Sequence, residues 1–61
     1  MKARDLLNFG QEALKLSGIY EWDYDSRTLL EWSLNISRTD LILEPNLEVS
    51  EEKALQYKAY I

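Results

Sequence analysis

Between Ala3 and Ser17 the positions Ala3, Leu6, Leu7, Gly10, Ala13, Leu14 and Ser17 recur at steps of three and four residues. That spacing lays them on one stripe of a 3.6-residue helix, with Arg4, Asn8, Gln11, Glu12 and Lys15 on the other side. Gly18 stands where a left-handed residue closes a last helical turn. Gly10 lies on the inward stripe, where glycine costs about 1 kcal/mol of helix propensity relative to alanine; a close helix crossing would account for it, and so would chance. From Ile19 to Tyr24 the rings of Tyr20, Trp22 and Tyr24 alternate with Glu21 and Asp23, a period of two that mimics a strand. No second strand-like run exists to pair with it, so the stretch is expected to be a connection whose rings cover one end of the core.

A second helix is expected from a cap at Asp23 or Asp25 to about Asn35, with Ser26, Leu29, Leu30, Ser33 and Leu34 on one face and Trp32 and Ile36 flanking it. The two serines are small enough to admit another helix. Ser37-Arg38-Thr39-Asp40 has the spacing of a capping box, with Asp in place of the usual Glu, and so opens a short third helix that delivers Leu41, Ile42 and Leu43 and stops before Pro45. Glu44 to Val49 then forms a loop anchored by Leu47 and Val49. Ser50 caps a fourth helix that begins with Glu51 and Glu52, buries Ala54, Tyr57 and Ile61 with Leu55 and Tyr60 beside them, and points Lys53 and Lys58 away. The fold class that follows is all-α, a small bundle of about four helices forming one domain over residues 1–61. The helical pattern still runs at Ile61 with no stop signal, the expectation being a longer parent chain.

Composition narrows the chemistry. The chain has no Cys and no His, which removes thiolate and imidazole metal sites, thiol nucleophiles and histidine bases. Asp23 with Asp25, and Glu51 with Glu52, are carboxylate pairs by count only, because neighbours one or two apart on a helix do not face a common point; capping explains them more simply. With Gly10 and Gly18 the only glycines, no phosphate cradle opens a helix after a strand. No catalytic, cofactor-binding or metal residue is therefore assigned.

The net charge is −4, and the seven basic residues are scattered, so direct nucleic-acid binding is not expected. The half after Leu30 is the more acidic and favours a basic partner, or simply keeps the domain in solution. No segment has the length and apolarity of a membrane span or signal peptide, which makes the cytoplasm the expected location. Seven rings are many for so short a chain. Trp32, Phe9 and Tyr57 are expected mainly in packing, and Tyr20 and Trp22, placed in a connection, are the candidate partner contacts.

Gly18-Ile19, Asp25 followed by Leu29-Leu30, the run from Leu34 to Leu43, and Pro45 with Leu47 through Glu52 together resemble the N-terminal domain of the HemK/PrmC family. The most specific piece is Ser37-Arg38-Thr39-Asp40-Leu41, set between a Leu-Leu helix and a Ser-Glu-Glu helix start. The family comprises protein-(glutamine-N5) methyltransferases acting on peptide chain release factors. The resemblance implies a helical bundle that precedes an S-adenosylmethionine domain and helps to recognise the release factor, with that catalytic domain missing in cis. The family's glycine-rich cofactor motif and its Asn-Pro-Pro-Tyr motif match nothing here. Asn35 stands where the family often has Gly, Ser26 where it favours Ala, and Trp22 where Pro is common. The other function class compatible with the residues is a free-standing helical interaction or structural domain.

Overall fold

The computed structural model describes residues Met1–Ile61. It contains four helices, α1 (Ala3–Leu16), α2 (Trp22–Leu34), α3 (Arg38–Leu43) and α4 (Glu51–Tyr60), and no sheet. None is long and apolar enough to cross a membrane. α2 packs against each of the other three, and α1 also meets α4. The core is Ala3 and Leu6 from α1, Leu30 from α2, Leu41 from α3, Val49, and Ala54 and Tyr57 from α4.

Helix ends follow local chemistry at most positions. Gly18 (φ 79°) and Asn35 (φ 54°) both take the left-handed conformation that ends the helices before them. At α3 the Ser37 hydroxyl accepts from the Asp40 amide at 3.1 Å, and the Asp40 carboxylate accepts from the Ser37 amide at 3.3 Å. The Ser50 hydroxyl likewise accepts from the Lys53 amide at 3.3 Å.

The start of α2 differs from the expectation. Glu21, not Asp23 or Asp25, holds the cap position, and its side chain makes no cap hydrogen bond. Asp23 and Asp25 lie inside the first turn, where their charge still meets the positive end of the helix. The Asp23 carboxylate is engaged elsewhere: it accepts from Gln11 Nε2 of α1 at 2.8 Å and pairs with Arg27 Nη2 at 3.3 Å. Trp22 is consequently the first residue of a helix and not part of the connection.

Tyr57 is the keystone of the core. Its ring is fully buried and its hydroxyl donates to the Ser26 carbonyl oxygen of α2 at 3.0 Å. The hydroxyl sits against Gly10 of α1, where a Cβ would overlap it and lie 2.8 Å from the ring carbon Cζ. Gly10 and Ser26, both buried small residues, thus provide the space that a tyrosine from α4 fills. Burial pushes the Tyr57 phenol up to about 12, because the phenolate would lose its hydration.

The expected packing of Trp32 and Phe9 is overturned, since Trp32 is 65% and Phe9 41% exposed. With Tyr57 already filling the centre, Trp32 is displaced outward onto the edge of Tyr60 (centroids 5.1 Å, planes at 61°). Phe9 is capped by the Lys58 ammonium at 5.1 Å. Lys58 therefore folds back over α1 instead of pointing away.

The segment before α1 and the loop before α4 form a short antiparallel strap, bridged at Lys2 and Glu48. The Ala3 amide donates to the Leu47 carbonyl and the Val49 amide to the Met1 carbonyl, both at 2.8 Å. The Met1 ammonium lies 2.8 Å from Glu48 Oε1 and holds that carboxyl below its ordinary range.

Candidate docking surface

α2 has two contrasting sides. Ser26, Leu30 and Ser33 are buried against the other helices. On the opposite side Tyr24, Thr28 and Trp32 follow one another at four-residue steps, all exposed. Tyr24 and Trp32 span about 12 Å of helix. Tyr20, 94% exposed just before the helix, extends the row at one end, and Tyr60 extends it at the other. Two rings on the outward face of α2, with Tyr20 before the helix and Tyr60 of α4 beside Trp32, all more than half in water, are more than a folded core requires.

The expected contact residues are not equivalent. Tyr20 is almost wholly exposed, whereas Trp22 is half-buried and carries the Lys15 ammonium 5.4 Å from its ring centroid. The two line one open concavity with Glu21, Asp23 and Tyr24. Sequence reasoning missed Tyr24 and Trp32. The signal was available: once α2 starts at Trp22, their spacing places them across the helix from Ser26, Leu30 and Ser33.

The charges carried by α2 itself are mostly negative, while Lys53 of α4 shares a concavity with Trp32 and Tyr60 at the far end of the row. Between Glu21 and Leu34 the chain carries Glu21, Asp23, Asp25 and Glu31 against the single cation Arg27. Arg27 is spent on Asp23, which leaves Glu21, Asp25 and Glu31 without an ion-pair partner. Beside the row runs a shallow groove lined by Leu14, Ile19 and Leu29, with Asp25 and Thr28 on its rim.

No three His, Cys, Asp or Glu side chains converge on a point that would hold a metal. Neither glycine opens a helix in the manner of a phosphate cradle: Gly10 is occupied by Tyr57, and Gly18 closes the C-terminal end of α1.

The sequence model of the PrmC N-terminal domain matches residues 5–61. The chain belongs to the PrmC N-terminal domain family. No curated protein and no solved structure matches it significantly. The family match covers all four helices apart from the first two residues of α1, so the exposed row of α2 lies wholly within the matched region.

Proposed function

We propose that this PrmC N-terminal domain recognises a peptide chain release factor on behalf of a protein-(glutamine-N5) methyltransferase, whose S-adenosylmethionine site and catalytic residues lie in another domain of the parent protein. The family match over residues 5–61 carries this reading. The rings and carboxylates gathered on one side of α2 support it.

The mechanism is positional. Binding the release factor on a rigid helical block converts the meeting of its glutamine with the tethered catalytic domain into an intramolecular event, at an effective concentration set by the linker. The domain contributes orientation and residence time, and the partner domain contributes methyl transfer. The setting is the cytoplasm, where release factors act.

Calorimetric titration of the 61-residue chain with a peptide chain release factor tests the reading, and saturable heat is expected. Titration with S-adenosylmethionine is expected to give none. Absence of release-factor binding at accessible concentrations would remove the recognition role, and stoichiometric cofactor binding would place part of the methyl-transfer site in this domain.

A further inference from the structure

We infer that the outward side of α2 is a docking surface for a cationic amphipathic protein segment, with Arg or Lys side chains stacking on Tyr20, Tyr24 and Trp32 and aliphatic side chains entering the Leu14–Ile19–Leu29 groove. The inference names the recognition face within the function proposed above, and takes the identity of the partner from that reading.

Three observations commit the occupant to this chemistry. The rings are exposed and aligned: 94% for Tyr20, 66% for Tyr24 and 65% for Trp32. Aromatic faces carry partial negative charge and attract ammonium and guanidinium groups. This fold already uses that attraction twice, with Lys15 on Trp22 at 5.4 Å and Lys58 on Phe9 at 5.1 Å. The rings on the outward side of α2 carry no such cation.

The unpaired carboxylates are the second observation. Glu21, Asp25 and Glu31 lie among the exposed rings, while the only cation of the helix is held by Asp23 at 3.3 Å. A cationic segment finds complementary charge here, and an anionic polymer such as RNA is repelled. The groove is the third: its apolar floor beside Asp25 matches a segment that is aliphatic on one edge and basic on the other.

The test is nuclear magnetic resonance mapping on the isotopically labelled 61-residue chain with two probes. One is an intact peptide chain release factor; the other is a sixteen-residue Ala/Gln helix bearing Arg at every fourth position and Leu beside it, with its Glu-for-Arg counterpart as control. Shift changes are expected at Tyr20, Tyr24, Thr28 and Trp32 with the release factor and the Arg peptide, and none with the Glu peptide.

The Y24A/W32A variant, altered only at exposed positions, is expected to keep its helical spectrum and to bind about tenfold more weakly. The E21Q/D25N/E31Q variant is expected to lose about tenfold at low salt, with the difference shrinking as salt screens the charges. Release-factor binding that maps to another face, or that both variants leave unchanged, overturns the docking surface while leaving the proposed function intact. Binding of the Arg peptide on α2 without release-factor binding supports the surface and removes the partner assignment. Silence from both probes overturns both.

Discussion

At the scale of single residues, Gly10, Ser26 and Tyr57 decide the packing. Alanine at Gly10 gains about 1 kcal/mol of helix propensity but drives a methyl group into a buried, hydrogen-bonded phenol, and overpacking of this kind costs about 1–3 kcal/mol. Gly10→Ala is expected to lower stability on balance, which urea unfolding would measure; a rise would mean that Tyr57 moves aside freely. The same phenol predicts an alkaline limb. Its folded pKa of about 12 lies above the unfolded value of 10.0, so the folded state keeps a proton that the unfolded state releases. The stabilisation is complete below pH 10, fades as pH rises towards 12, and is of order 2 kcal/mol. In Tyr57→Phe this part of the pH slope is expected to vanish, leaving only the slope from other groups. Ser33 is a simpler case: its hydroxyl is buried with no hydrogen-bond partner. Ser33→Ala removes an unsatisfied group at nearly constant volume and is expected to raise the unfolding midpoint by an amount worth about 1 kcal/mol.

At the scale of elements, the two serine caps look alike in sequence and support different things. Ser37 starts a six-residue helix whose one buried side chain is Leu41. Ser50 starts the helix that carries Tyr57. Loss of either cap costs about 1 kcal/mol. Ser37→Ala is expected to speed amide exchange within Arg38–Leu43 by local opening, with a smaller change in global unfolding. Ser50→Ala is expected to lower the global transition, because α4 and the core open together. Equal exchange profiles in the two variants would show that α3 is no more independent than α4. The local signals at Gly18, Asn35, Ser37 and Ser50 were legible because a cap is settled within four residues of chain. The start of α2 was misplaced for the opposite reason: Asp23 is a good capping residue by type, but Gln11, twelve positions away, holds its carboxylate.

At the scale of the whole molecule, the strap joins the start of α1 to the start of α4, elements far apart in the chain. Its charged clasp is the Met1 ammonium on Glu48. Acetylating that amine is expected to return the Glu48 carboxyl towards its ordinary pKa and to speed exchange of the Ala3 and Val49 amides, both read by magnetic resonance; unchanged exchange would show that the backbone bonds suffice alone. Glu48 is exposed, so the clasp serves as a local tether. By itself the sequence determined the all-α class, the four helices, the stops of the first three, and an inward face on α1, α2 and α4, because helical periodicity and caps are local properties of the chain; on α3 only Leu41 is buried, while Ile42 and Leu43 stay exposed. It also carried the family, through the order and spacing of short motifs. Only the tertiary structure decided which ring occupies the centre. Tyr57, Phe9 and Trp32 are all large and apolar enough for a core, and the choice among them rests on the gap that Gly10 and Ser26 leave where α1, α2 and α4 converge. With that gap filled by Tyr57, Trp32 is left largely in water against the edge of Tyr60, and the outward row exists because a core this small holds one large ring at its centre.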